Sequence, residues 1–305
     1  MLTTLAFAAT AMAAAVTNPL IKLNNGVMMP QMALGTWQYD NETAAAAIKI
    51  GLDTAGFTHI DTAENYNNQV GVGKAIAGRE RSSFFLTTKT LPCTSDPTAT
   101  PGSCTKQTRS DFEGDLAALG VDYVDLILLH GASHRGAGAC DAKACAADAE
   151  QWAVYEEMYK AGKAKAIGVS NYCQSCFECL LDKATVVPTV NQIQVHVGMG
   201  DDPSGLISYC EKKGIVVQAY SPLGNGQLVT DKKLGAIGEA HGKTGPQVAL
   251  KWLADKGLAV VTKANSVEYL QQDIDLFSWN LTASETSTLS KNDEYPSDPS
   301  WACSK

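Results

Sequence analysis

The chain has 305 residues, 45% hydrophobic and 18% charged, enough apolar material for one large domain or two average ones. A formal net charge of -8, with no cluster of Lys and Arg, opposes a nucleic-acid footprint and leaves a soluble globular protein as the default. Residues 2–16 are mostly apolar and Ala-rich, with no charged side chain before Lys22. They are too few to span a bilayer as a helix of about 20 residues, so no stable membrane anchor is expected.

Small residues at Ala13 to Ala15 fit a signal cleavage site. Residues 1–16 therefore read as a signal or leader segment and 17–305 as a single domain, with the secretory pathway as destination. A cytoplasmic protein that keeps an Ala-rich leader is the alternative. Next in the chain, Asn24-Asn25-Gly26 lies between apolar residues within 21–29, the signature of a short β-hairpin that could plug one end of a barrel.

Apolar, β-branched runs follow at 32–35, 57–60, 84–88, 123–129, 164–169, 190–195, 215–219 and 258–261. Helical stretches at 42–55, 109–119, 149–160, 203–213 and 246–255 fill gaps between them. Continuous apolar strands alternating with helices predict a parallel sheet covered by helices, and eight such units predict closure into a (β/α)8 TIM barrel. A doubly wound open sheet is the alternative, but no GxGxxG loop is present. Two longer stretches, 91–106 and 131–147, read as loops above the barrel mouth, where substrate selection normally lives.

Nine cysteines, several in these loop-like segments, point to disulfides in an oxidising compartment. Cys173, Cys176 and Cys179 have CxxCxxC spacing, yet no second ligand group accompanies them, so disulfides or free thiols are favoured over zinc. Triplets at Asn41-Glu42-Thr43 and Asn280-Leu281-Thr282 would be usable glycosylation sequons in a secretory protein.

Polar residues of unusual type end nearly every apolar run. Asp61, Lys89 and His130 follow the second, third and fourth; Ser170 and Asn171 the fifth; Gln192, Tyr220 with Ser221, and Lys263 lie near the ends of the last three. In a parallel barrel all strand C-termini open on one face, so these residues converge there. Each alone has an ordinary explanation, Asp61 as a helix cap or His130 as a hydrogen-bonded structural histidine. The set together predicts a site.

Over residues 21–281 the chain resembles the aldo-keto reductase family. The motifs that carry the likeness are Leu34-Gly35-Thr36-Trp37, His59-Ile60-Asp61-Thr62-Ala63 with Tyr66 and Asn68, Thr87-Thr88-Lys89, Asp125-Leu126-Ile127-Leu128-Leu129-His130, Ile167-Gly168-Val169-Ser170-Asn171, Val190-Asn191-Gln192 and Ala219-Tyr220-Ser221-Pro222-Leu223-Gly224. The resemblance implies a monomeric enzyme that passes hydride from NADPH to a small-molecule aldehyde, ketone or sugar. Tyr66 would be the acid that protonates the carbonyl oxygen. A free phenol titrates near ~10, so Lys89, held charged by Asp61, is expected to lower that value. His130 would donate to the carbonyl oxygen.

The resemblance also implies that Thr36 and Trp37 touch the cofactor, that Trp37 and His130 wall the substrate, and that Ser170, Asn171 and Gln192 hold the nicotinamide carboxamide. Tyr220 would stack on the ring, Ser221 and Leu223 would hold the pyrophosphate, and Lys263 the 2′-phosphate. At the adenosine end the pattern breaks: Ala264 replaces a Ser and Tyr269 an Arg, while Gln272 and Asp273 stand where adenine-binding residues are usual and Ser266 offers a nearby hydroxyl. NADP(H) is expected, with NAD(H) as a second cofactor, because a tyrosine cannot replace a bidentate guanidinium on phosphate. Gly131 stands where many relatives carry a pocket-walling Trp, which predicts a roomier pocket, and Cys303 in the short tail suggests a tether. No metal site is expected. A non-catalytic nicotinamide-binding redox sensor is the alternative, but it has no need of all four of Asp61, Tyr66, Lys89 and His130.

Overall fold

The computed structural model describes residues 18–93, 102–133 and 140–292. The leader, Cys303 and parts of both long loops lie outside the described residues. The hairpin comes first, as β1 (Leu20–Lys22) paired antiparallel with β2 (Met28–Pro30). Its turn needs Gly26, at φ 89°, and its asparagines reach across to the barrel: Asn24 Nδ2 donates to Pro188 O at 3.0 Å and Asn25 Nδ2 to Lys165 O at 3.0 Å. Leu23 and Met29 enter the apolar cluster formed by the interior residues Phe85, Leu126, Leu128, Ala166, Val190 and Ala259. The hairpin is the expected plug.

Eight parallel strands close into a barrel: β3 (Met32–Gly35), β4 (His59–Asp61), β5 (Phe85–Thr90), β6 (Val124–Leu129), β7 (Ala164–Ser170), β8 (Val190–Gln194), β9 (Val216–Tyr220) and β10 (Ala259–Thr262). β10 bonds both β3 and β9, which leaves the sheet no edge. Every residue of β6 is buried, because helices cover one face of the strand and the barrel interior the other. The larger core lies between strands and helices and holds Phe112, Trp152, Tyr155 and Trp252, each 1% exposed or less.

The helices are α1 (Asn41–Ile50), α2 (Gln69–Ile76), α3 (Cys104–Leu119), α4 (Ala142–Lys160), α5 (Gln174–Lys183), α6 (Leu206–Lys212), α7 (Lys232–Ala240), α8 (Gly245–Asp255), α9 (Val267–Ile274) and α10 (Ala283–Leu289). Three depart most from the expected bounds. The helix expected over 42–55 stops at Ile50 and continues as a π turn, Gly51–Ala55; a Cβ on Gly51 would lie 2.5 Å from Leu34 Cδ2, so a larger residue there would push the Leu34 side chain aside. The other two, α3 and α4, begin earlier than expected and shorten both loops. Asp141 caps α4, accepting from Ala144 N at 2.8 Å. Cys104 starts α3 and is joined to Cys93.

Two more disulfides, Cys140–Cys176 and Cys145–Cys179, staple the segment after β6 to α5, and Cys173 is disulfide-bonded as well. The CxxCxxC cysteines are therefore not thiolates for zinc. One helix braces both loops from below. From α4, Gln151 Oε1 accepts from Cys93 N at 3.1 Å and Asp148 Oδ1 from Ser133 N at 2.8 Å.

The two staples to α5 span sequence separations of 36 and 34 residues. A loop of that length contributes about 3–4 kcal/mol through the unfolded chain's lost entropy, and because the two loops overlap over most of their length their effects do not add. Reduction by a dithiol is expected to lower the melting midpoint by about 5–10 °C. Cys210 should be the single described cysteine that titrates as a thiol beforehand. A midpoint unmoved by reduction would refute the stabilising role.

Candidate active site

The strand ends bring the predicted residues around one cavity of about 640 Å³, within the usual range for small-molecule sites. Trp37, Asp61, Tyr66, His130, Ser170, Asn171, Gln192, Tyr220, Ser221, Leu223 and Lys263 line it. Lys89 lies just beneath its floor, behind Asp61 and Tyr66, fully buried on β5, and its three ammonium hydrogens have three partners. Nζ donates to Asp61 Oδ1 at 2.6 Å, to Thr62 O at 2.9 Å and to Tyr66 Oη at 3.4 Å. Burial lowers the Lys89 pKa, and Asp61 works against that by favouring the charged form.

Tyr66 ends the 3₁₀ turn Glu64–Tyr66, which Asn67 closes in the left-handed region at φ 56°. The next residue, Asn68, anchors this turn to the end of β3. Asn68 is fully buried; Nδ2 donates to Thr36 O at 2.7 Å and Tyr39 O at 2.9 Å, while Oδ1 accepts from the hydroxyls of Thr36 and Thr62 at 3.3 and 3.2 Å. Asn68 was visible in the motif, but its anchoring role was not.

One electrostatic expectation is corrected. The Tyr66 pKa is not lowered by Lys89 but pushed well above 10, first by burial and then by the negative charge of Asp61. Asp61 sits 2.6 Å from Lys89, so the phenol faces a nearly neutral pair rather than a lone cation, and desolvation decides the direction. Tyr66 is therefore a neutral phenol at working pH, a fixed donor. His130 moves the other way, its pKa held well below 6.5 by burial and then by Lys89, so the ring is a neutral imidazole. The two rings meet edge to face at 5.6 Å, and His130 Nδ1 has no hydrogen-bond partner among the described residues.

Amides and hydroxyls surround this pair. Asn171 Nδ2 donates to His130 O at 3.0 Å, and Tyr220 Oη donates to Asn171 Oδ1 at 2.9 Å, which fixes the aromatic ring at the wall. Ser170 Oγ donates to Gln192 O at 2.8 Å. Gln192 Nε2 donates to Asp61 Oδ2 at 2.7 Å and Gln218 Oε1 at 2.8 Å. Among the described residues, four of the six non-glycine residues at positive φ, Gln38, Asn171, Ser221 and Asn225, line this cavity, the placement expected of backbone held for function rather than stability.

Lys263 reaches back over the mouth, Nζ donating to Trp37 O and Gln38 Oε1, both at 3.1 Å. Five positions singled out in the sequence stand behind the wall or beside it. Thr36 is fully buried and spends its hydroxyl on Asp61 O and Asn68. Ser266 caps α9 by accepting from Tyr269 N at 3.2 Å, and the Tyr269 side chain is 59% exposed. Asp273 faces inward, accepting from Thr262 Oγ1 at 2.7 Å, while Gln272 pairs with Glu268 along the helix surface. Among the described residues no three His, Cys, Asp or Glu side chains are grouped to hold a metal ion.

A nicotinamide cofactor fits these residues. A rigid aromatic face, amides of fixed orientation, a neutral imidazole and one lysine at the mouth offer stacking, hydrogen bonding and charge in one cavity. Comparison with known proteins points the same way. The profile of the Aldo/keto reductase family matches residues 30–294. Morphine 6-dehydrogenase of Pseudomonas putida is 33% identical over 90% of this chain and 92% of its own. Glyoxal reductase of Bacillus subtilis is 34% identical over 86% and 88%. The crystal structure of a Bombyx mori aldo-keto reductase in complex with NADP superposes with a TM-score of 0.77 at 28% identity, covering 94% of this chain and 97% of that one.

The burial that tunes the site also sets a pH dependence of stability. Asp115 and Asp273 are pushed up to about 7, each chiefly by burial. With folded values above the unfolded ones, they contribute stability that is present at low pH and lost as pH rises through about 7. His59, at about 4, and His130 and His196 are shifted down by burial, so their contribution is present above 6.5 and lost as pH falls below it. Between about pH 8 and pH 6.5 the two carboxyls, each worth up to about 1.4 kcal/mol per pH unit, outweigh the histidines, whose opposing effect grows only as the pH nears their unfolded value of about 6.5. The melting midpoint of the ligand-free protein should therefore be higher at pH 6.5 than at pH 8 and turn over below. A midpoint that climbs steadily from pH 6.5 to 8 would contradict the inward placement of Asp115 and Asp273.

Proposed function

The chain belongs to the aldo/keto reductase family and is an NAD(P)H-dependent oxidoreductase, and from that premise we propose that it reduces the carbonyl of an aldehyde, ketone or sugar, with NADPH as the favoured donor. The observation that carries the proposal is the Lys89 ammonium, saturated by Asp61, the Thr62 carbonyl and the Tyr66 hydroxyl at the floor of the cavity. A module that only bound nicotinamide would gain nothing from a buried ion pair aimed at a phenol.

The cofactor, when bound, supplies a hydride to the carbonyl carbon; Ser170, Asn171 and Gln192 would hold its carboxamide, Tyr220 its ring, and Ser221, Leu223 and Lys263 its phosphates. The remaining work falls to this chain's side chains. His130, neutral, donates its N–H to the carbonyl oxygen and orients the substrate. Tyr66 donates its hydroxyl to the same oxygen and gives up the proton as that oxygen takes negative charge. An alkoxide is more basic than a phenolate, so even a phenol of raised pKa transfers its proton downhill. The phenolate left on Tyr66 receives the hydrogen bond already aimed at it by Lys89 and regains a proton from water at the open mouth.

At the adenosine end, one lysine without the usual arginine supports NADPH preference with NADH accepted. The disulfides support work in an oxidising compartment, in keeping with a cleaved leader.

NADPH and NADH oxidation with a panel of aldehydes, ketones and sugars is the direct assay. Tyr66→Phe should lower turnover by about 10²–10⁴-fold while leaving NADPH binding nearly unchanged; full turnover in that variant would sink the acid role. Lys89→Met should also lose activity and, by leaving Asp61 charged and alone, cost about 3–5 kcal/mol of stability in chemical denaturation. Wild-type stability in that variant would mean that the pair is not buried as described.

A further inference from the structure

Gln218 is a polar residue in the middle of an apolar strand, and no role in the reaction calls for it directly. It lies on β9 in register with Gln192 of β8, so the two side chains share the inner face of the barrel. Both are buried, Gln192 at 2% exposure and Gln218 at 0%. The Gln192 amide nitrogen carries two hydrogens, and both are used, one on Asp61 Oδ2 at 2.7 Å and one on Gln218 Oε1 at 2.8 Å. What remains of that amide for a ligand in the cavity is its carbonyl oxygen. Turning the amide over would set this oxygen against a carboxylate and a second carbonyl, so two acceptors select one orientation.

Gln218 Nε2 has no hydrogen-bond partner among the described residues. A methionine would fill similar volume without stranding a buried donor, so what glutamine adds at this position is its accepting oxygen. Among the described residues that oxygen accepts a hydrogen bond only from the site's own amide. The same amide also contacts Asp61, whose other oxygen holds Lys89 at 2.6 Å. Gln218, Gln192, Asp61 and Lys89 thus form one unbroken line from the sixth and seventh barrel strands to the phenol.

We infer that Gln218 is a positioning residue: with Asp61 it fixes the Gln192 amide so that its oxygen is presented to the carboxamide N–H of a nicotinamide, joining the cofactor seat to the proton-delivery pair. This rests on the reductase reading above. The inference concerns an orientation, so a conservative replacement that keeps the accepting oxygen must rescue it, and one that keeps only the volume must not.

The test is direct NADPH binding to the full chain, by quenching of tryptophan fluorescence or by calorimetry, beside the melting midpoint of each variant. Gln218→Met should raise the Kd about tenfold, the cost of one buried hydrogen bond. Gln218→Glu, protonated in the barrel interior, keeps an accepting oxygen and should stay within about threefold of the wild type. A wild-type Kd in folded Gln218→Met, or an equal loss in both variants, overturns the inference. A lowered melting midpoint with an unchanged Kd would mark a merely structural residue and overturn it too. Should the methionine variant not fold, Gln218→Thr, too short to reach Gln192, carries the same comparison. Failure of the reductase reading looks different: the wild type itself would not bind NADPH or would not turn over any carbonyl.

Discussion

The structure depends most on a buried ammonium. Lys89 has no access to water, and a charge so placed is tolerable only when every hydrogen meets an oxygen. The three oxygens come from the end of β4, the residue after it and the turn beyond, so satisfying one side chain on β5 fixes the geometry of the segment from Asp61 to Tyr66. The barrel has to close for this to happen, because Asp61 also needs Gln192 from the far side of the ring to satisfy its second oxygen. Fold and site are in this sense one hydrogen-bond problem with one solution.

Around that centre the molecule divides rigid from adjustable parts. Strand ends and the backbone at Asn171 and Ser221, both held at positive φ, set the amides and the aromatic ring of the wall. The described parts of the segments after β5 and β6 are held by other means: disulfides to helices, and polar side chains of α4 that accept from loop backbone. Such segments can vary in sequence without disturbing the floor, which is how one barrel accommodates different substrates over one chemistry.

Much of this was legible in the sequence. Strands buried on both faces read as unbroken apolar runs, and a titratable residue at the end of such a run has few places to go but the mouth, so Asp61, Lys89 and His130 could be placed from the chain alone. Other features were hidden for definite reasons. Cysteine spacing does not set Cα separation, so the pairings of Cys140 with Cys176 and Cys145 with Cys179 were not readable. The early starts of α3 and α4 depend on a disulfide and on an aspartate cap inside segments that read as loops. Thr36 and Asp273 matched a pattern, but their side chains turn inward to Asn68 and Thr262. The direction of the Tyr66 shift is decided by how deeply the phenol is buried and then by the charge of Asp61, neither of which spacing can supply. Gln218 did leave a trace, a polar residue inside the apolar run 215–219, facing the same way as Gln192.

The central claim is that the Lys89–Asp61 pair and the buried floor keep Tyr66 a neutral phenol that donates rather than a phenolate that accepts. It is tested most directly by carbon NMR of protein labelled at the tyrosine Cζ, with Tyr66→Phe assigning the resonance. The account expects the Tyr66 signal to stay at its phenol position from about pH 6 past its ordinary value of 10. A titration of that signal with a midpoint below 10 would contradict it and restore Lys89 as the dominant influence on the phenol.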